Sequence, residues 1–303
     1  MLNKLTTEAR NPRTERIDEL SAVKIVEVMQ REDAAVADAI AAQAAPIATV
    51  IDVVADRIRN GGRLVYLGAG TSGRLGVLDA SECPPTFSTP PEMVVGVIAG
   101  GTQALTRAIE GAEDSPEGGK QDLRGINLSA ADVLVGIATS GRTPYVLGGL
   151  RFAREIGAYA VGLSCNRDSA LVQECDLCIT PVVGPEVITG STRLKAGTAT
   201  KLVLNMISTG AMIRLGKTYG NLMVDLRATN SKLMERSHRI VSELTGLSTD
   251  DARAALRDCD GELKTAVVVH ECDVDPESAR ALLRRAGGHL RMAFQLRSAV
   301  DER

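Results

Sequence analysis

The stretch Leu64-Val65-Tyr66-Leu67-Gly68-Ala69-Gly70-Thr71-Ser72-Gly73-Arg74 decides the fold of this 303-residue chain. Four apolar residues run without alternation into a turn of glycines and hydroxyl residues, and a helical pattern over residues 72–81 follows. An unalternated apolar run suits a strand buried on both faces, as in a parallel sheet. A glycine-rich turn that opens a helix lets the backbone approach an anion closely, with free N–H groups and the helix dipole facing it.

Working outward, runs of the same kind recur at residues 93–98, 133–138, 160–163 and 177–181. Helical spacing lies between them over 103–110 and 144–156, before them over 18–59, and after them over 195–215 and 224–243. Asn60-Gly61-Gly62 breaks the first helical stretch ahead of the first strand. The alternation predicts an α/β fold: a doubly wound, five-stranded parallel sheet sandwiched by helices. Beyond Thr245, Ser248-Thr249-Asp250-Asp251 has the form of a helix N-cap with acids in the first turn. Three short helices over 249–259, 261–270 and 276–285 give a small all-α domain, similar in pattern to a ubiquitin-associated three-helix fold. The expected organisation is an N-terminal helical segment at 1–54, the sheet domain at 55–218, a connecting helix at 219–244 and the small helical domain at 245–303.

The deciding turn has a second copy. Thr71-Ser72-Gly73-Arg74 recurs as Thr139-Ser140-Gly141-Arg142, again after an apolar strand and before a helix. Both copies should therefore lie at the carboxyl edge of the sheet, where open parallel sheets bind ligands. Gly68, Gly70 and Gly73 also spell the spacing of a dinucleotide-binding loop. That reading needs an acid at the end of the second strand, which here runs Val97-Ile98-Ala99-Gly100-Gly101. The hydroxyls inside the turn suit a terminal phosphate better. Gly70, Thr71, Ser72, Ser140 and Thr143 are the candidate phosphate-binding residues, and Pro144 suits the first turn of the helix that follows. Arg74 and Arg142 are either ligands or surface residues.

Composition narrows the classes. The net charge is -3 and aromatic residues are 2% of the chain, which argues against a nucleic-acid partner. No apolar run approaches the ~20 residues that span a bilayer, and residues 1–8 do not read as a signal peptide. The six cysteines are scattered, so free buried thiols and a cytoplasmic setting are expected. Cys175 and Cys178 have CxxC spacing without a second such pair, and read as strand residues rather than metal ligands.

The three histidines, His238, His270 and His289, all come late in the chain. Chemistry near the turns therefore falls to carboxylates. Glu82 stands before Pro84-Pro85, where the first turn's helix is expected to end. Glu110, Glu113 and Asp114 stand at the expected end of the helix after the second strand. Acids at helix C-termini oppose the dipole, which gives a functional reading weight beside that of a solvated acidic loop.

The strand-turn-helix pattern at Gly68–Gly73 and Ser140–Thr143 resembles the SIS (sugar isomerase) fold. The run from Leu67 through Glu82-Cys83-Pro84-Pro85-Thr86, with Glu110-Gly111-Ala112-Glu113-Asp114 and Asn221-Leu222-Met223-Val224-Asp225, resembles the bacterial N-acetylmuramic acid 6-phosphate etherases. Gly184-Pro185-Glu186-Val187-Ile188-Thr189-Gly190-Ser191-Thr192-Arg193-Leu194-Lys195-Ala196-Gly197-Thr198-Ala199-Thr200-Lys201 resembles a signature those etherases share with the glucokinase regulatory protein.

The resemblance implies removal of the D-lactyl ether from carbon 3 of the sugar, giving N-acetylglucosamine 6-phosphate and D-lactate. It places the proton donor on Glu82 and the second catalytic acid on Glu113, assigned here as the carbon-2 base, and such roles require pKa values pushed apart. Arg193 and Lys195 are either ligands of the substrate's carboxylate or phosphate, or partners of nearby acids. Thr7, Glu8 and Asn11 match a family pattern near the N-terminus. The resemblance further implies no cofactor, no metal and a homodimer formed through the N-terminal helices. A non-catalytic sugar-phosphate-sensing regulator is the alternative, although that protein has two SIS-type halves, and an aldose–ketose isomerase is a third reading.

Overall fold

The computed structural model describes residues 5–225 and 231–301. The first four residues of the segment read as no signal peptide, and residues 226–230 of the helix expected over 224–243, lie outside the described residues. Two compact units emerge: Met1–Ser81 with Pro91–Ser208, and Glu82–Pro90 with Thr209–Arg303.

In the first unit, the helical stretch predicted over 18–59 forms three helices, α1 Ala22–Asp33, α2 Ala35–Ala41 and α3 Ala44–Arg59. The chain then alternates through β1 Leu64–Gly68, α4 Gly70–Phe87, β2 Val94–Ile98, α5 Pro116–Gly125, β3 Val133–Ile137, α6 Pro144–Glu155, β4 Tyr159–Leu163, β5 Leu177–Ile179 and α7 Lys195–Arg214. The five strands are parallel in the order β2-β1-β3-β4-β5. This is the doubly wound sheet expected from the apolar runs. Every residue of β1 and β3 is buried. Val65 and Leu67 face the cluster that holds Tyr145 and Leu150 of α6 and Leu123 of α5. Tyr66 faces the other way, where its hydroxyl donates to Asp79 of α4 at 2.8 Å. Asp79 also accepts from Asn205 (2.7 Å) and Ser208 (3.2 Å) of α7, which ties two helices to β1.

Two helix predictions need correction. α4 does not end before Pro84-Pro85; it runs through both to Phe87 and stops where Ser88 takes a φ of +51°. Proline's φ is itself helical, and a helix interior tolerates it at a cost of ~3 kcal/mol when packing compensates. Cys83 and Phe87, on either side of the prolines, are both buried. Glu82 therefore sits inside a helix, and the dipole argument for it as a terminal acid does not apply.

Between β2 and β3, the predicted helix over 103–110 is only a 3-10 turn, Gly101–Leu105; the crossover helix is α5. Gly118 and Gly119 hide α5 from a propensity reading, because glycine weakens helices. Packing requires one of them: a Cβ on Gly119 would lie 2.1 Å from the Tyr145 carbonyl oxygen of α6. Glu113 consequently lies in a separate 3-10 turn, Ala112–Asp114, that starts after Gly111 at φ +72°. It is not at a helix C-terminus either.

In the second unit, a short hairpin pairs β6 Thr218–Tyr219 with β7 Leu222–Met223. The described helices here are α8 Ser231–Thr245, α9 Thr249–Asp258, α10 Leu263–Cys272, α11 Pro276–Arg285 and α12 Leu290–Asp301. The expected cap is present, with the Ser248 hydroxyl accepting from Asp251 N–H at 3.2 Å. α12 is one helix more than the periodicity predicts; it follows Gly287 and Gly288, both at positive φ. Val241, Leu256, Val267, Leu283 and Leu290 share one apolar core. Lys264 and Lys217 converge on Asp225 at 3.1 and 2.6 Å. Among the described residues no single helix is long and apolar enough to cross a membrane.

Candidate sugar-phosphate site

The order β2-β1-β3-β4-β5 places the topological switch between β1 and β3. Ligands of open α/β sheets bind outside the carboxyl ends of the strands at such a point. β1 and β3 lie in register, Gly68 opposite Ile137, so the two Thr-Ser-Gly-Arg segments leave neighbouring strands side by side.

Close packing shapes the first segment. A Cβ on Gly73 would lie 2.6 Å from the Gly68 carbonyl oxygen and 2.6 Å from Ile98 Cγ1. Gly70 takes a φ of +53° and opens α4, so Thr71 and Ser72 occupy its first turn. The second segment turns more sharply. Gly141 takes a φ of +68°, its N–H donates to the Ala138 carbonyl at 2.7 Å, and α6 starts only at Pro144.

Together these segments line a cavity of about 260 Å³. Its hydroxyl-bearing side chains are Thr71, Ser72, Thr139, Ser140, Thr143, Thr192 and Thr200. Gly70, Thr143 and Gly197 bring the N-terminal ends of α4, α6 and α7 to its wall. Among the described residues, Glu8 and Glu113 are the charged ones on its wall, and no lysine or arginine lines it. Hydroxyls and the positive ends of three helix dipoles are the chemistry that suits an anion. The candidates Gly70, Thr71, Ser72, Ser140, Thr143 and Glu113 come together here.

The other candidates lie elsewhere. Glu82 is exposed on α4 and does not line the cavity, nor does the exposed Arg193. Lys195 is 1% exposed and bonds Glu32, itself 3% exposed, at 2.8 Å. That ion pair is structural. The Arg13 guanidinium, together with Lys195 and Asn11, holds the Glu32 carboxyl down at about 2 despite its burial. Glu186, wholly buried, caps α7 by accepting from the N–H groups of Lys195 (3.0 Å) and Ala196 (2.9 Å), while burial pushes its own carboxyl above the usual range. Glu186 and Lys195 of the signature thus hold the start of α7 in place.

Glu8, Thr192, Gly197 and Thr200 were not singled out as site residues from sequence. Gly197 fits between the others: a Cβ there would lie 3.4 Å from the Thr192 carbonyl oxygen and 3.8 Å from Thr71 Cγ2. Glu8 arrives on an N-terminal strap. Thr6 donates from N and Oγ1 to Asn166 Oδ1 at 2.8 and 2.9 Å, and Asn166 Nδ2 donates to Thr7 Oγ1 and to the Thr139 carbonyl. Asn166 therefore fastens the strap to the second turn.

Across known proteins, residues 46–154 match the glucokinase regulatory protein N-terminal SIS domain, residues 117–209 the SIS domain, and residues 220–259 the C-terminal lid domain of glucokinase regulatory protein. An N-acetylmuramic acid 6-phosphate etherase of Rhodopirellula baltica is 64% identical over 95% of this chain and 96% of its own length. The chain belongs to the N-acetylmuramic acid 6-phosphate etherase family. The etherase of Streptomyces coelicolor is 58% identical over 97% of this chain and 94% of its own. A solved phosphoheptose isomerase from Francisella tularensis is 17% identical, with a TM-score of 0.49 over 64% of this chain and all of that one.

Proposed function

We propose that the chain cleaves the D-lactyl ether of N-acetylmuramic acid 6-phosphate as a carbon–oxygen lyase, releasing D-lactate and N-acetylglucosamine 6-phosphate. The observation that carries this reading is Glu113 on the wall of a cavity lined by hydroxyls and the starts of three helices. The phosphate sits among Thr71, Ser72, Ser140 and Thr143, whose hydroxyls donate to it alongside the start of α4. This anchors the sugar and leaves its carbons to reach Glu113.

In the open-chain aldehyde, the carbonyl acidifies the proton on carbon 2. Glu113 removes that proton, the carbon–oxygen bond at carbon 3 breaks, and the departing lactate oxygen takes a proton. The family motif assigns that donor role to Glu82, which is exposed on α4 and lines neither this cavity nor its neighbour. Water then adds to carbon 3 of the unsaturated aldehyde, and a proton returns to carbon 2. The roles of the two glutamates rest on the family motifs they occupy. A cytoplasmic homodimer belongs to the same reading, and the exposed Val23 (67%) and Val26 (54%) on α1 support the pairing.

Purified protein should release D-lactate from N-acetylmuramic acid 6-phosphate in a lactate-dehydrogenase-coupled assay. Glu113→Gln and Glu82→Gln should each lower the rate by about 100- to 10,000-fold, the usual range for losing a general acid or base. Full activity in both variants would refute the assignment.

A further inference from the structure

A second cavity, of about 340 Å³, adjoins the first and shares Ala69, Gly70 and Glu113 with it. Its chemistry differs. Among the described residues the first cavity has hydroxyls and no cation, whereas this one carries Arg74 and Arg107 together with an apolar wall that includes Ala99, Ala104 and Ile109. We propose that this second cavity is the subsite for the ether arm of the substrate, with Arg107 binding the lactyl carboxylate and the alanine and isoleucine side chains receiving its methyl group.

The inference rests on the etherase reading and deepens it. A sugar bearing two different anions needs two different anchors, and the two cavities sort them. The hydroxyls and helix ends suit the phosphate. A guanidinium beside small apolar side chains suits a short branched carboxylate, because its planar fork matches the two carboxylate oxygens. Glu113 is common to both walls, so a substrate spanning them brings the carbon 2–carbon 3 region, where the proton leaves and the ether breaks, to that carboxylate.

Arg107 has its guanidinium available. It is exposed and forms no ion pair or side-chain hydrogen bond among the described residues. Arg74 has a different task. Its Nε donates to the Leu105 carbonyl and its Nη2 to the Arg107 carbonyl, both at 3.1 Å. It is a positioning residue that fixes the backbone on which Arg107 rides. Glu110 also lines the cavity, so its wall carries two carboxylates and two guanidinium groups.

The test compares N-acetylmuramic acid 6-phosphate with the same sugar in which the lactyl carboxyl is a carboxamide, measuring kcat and KM for release of lactate or lactamide. The wild-type protein should favour the acid by about 10- to 100-fold in kcat/KM, the range for hydrogen bonds to a charged group. Arg107→Gln should erase most of that preference by losing rate on the acid alone, and Arg107→Lys should keep part of it. An unchanged acid-to-amide ratio in Arg107→Gln overturns the subsite and leaves the activity standing. Release of neither product by the wild-type protein overturns the etherase reading, and the subsite with it.

Discussion

In the first Thr-Ser-Gly-Arg segment, residues 71–74, all four residues lie in the opening turn of α4. In the second, residues 139–142, all four precede α6, which starts at Pro144. The third residue is glycine in both, for different reasons. Gly73 has no positive φ and is required because the Gly68 carbonyl and Ile98 leave no space for a Cβ. Gly141 sits at φ +68°, and a Cβ on it would also lie 2.1 Å from Ser169 Oγ. The fourth residue differs as well: Arg74 bonds two loop carbonyls, whereas Arg142 is exposed. A repeated tetrapeptide thus marks one ligand edge without repeating one conformation. The cavity gains a helix start from one copy and a tight turn from the other.

The largest expected effect separates the glycines. Gly141→Ala should lower unfolding free energy by about 3 kcal/mol in urea titration, since backbone strain and overlap with Ser169 add. Gly73→Ala should cost about 2 kcal/mol from overpacking alone. Adding Ser169→Gly should recover part of the loss in Gly141→Ala and none in Gly73→Ala. Equal rescue of both would erase the distinction between the copies.

The serines should behave alike where the glycines do not. Ser72→Ala and Ser140→Ala each remove one proposed phosphate donor, and each should lower kcat/KM by about tenfold with little change in stability. A loss confined to one serine would mean that a single copy holds the phosphate. The smallest effect belongs to the arginines. Arg74→Ala should cost about 1 kcal/mol in thermal unfolding through its two carbonyl bonds, while Arg142→Ala should stay within about 0.5 kcal/mol of wild type.

Much of the sheet was legible because its strands are buried on both faces, which forces the continuous apolar runs at Leu64–Gly68 and Val133–Ile137. α5 was not, because Gly118-Gly119 reads as a break until Tyr145 of α6 is seen to need the space. That the hydroxyls after β1 and β3 share one cavity was legible, since each lies next to the strand that positions it. Thr192, Thr200 and Glu8 were not; they reach the cavity from segments far away in sequence. Lys195 illustrates the opposite case. Its position in the signature suggests a substrate ligand, but its ammonium is spent on Glu32, 163 residues away.

The sequence by itself determined the parallel sheet, the repeated turns at its carboxyl edge and the family, because these rest on local periodicity and on residues adjacent in the chain. Only the tertiary structure decided which charges pair inward and which stay open on a cavity wall. Lys195 pairs inward with Glu32, while Arg107 stays open beside Glu113. An ion pair depends on distance in space, and the chain must fold before Glu32, Glu8 and Arg107 acquire the neighbours that define what each one does.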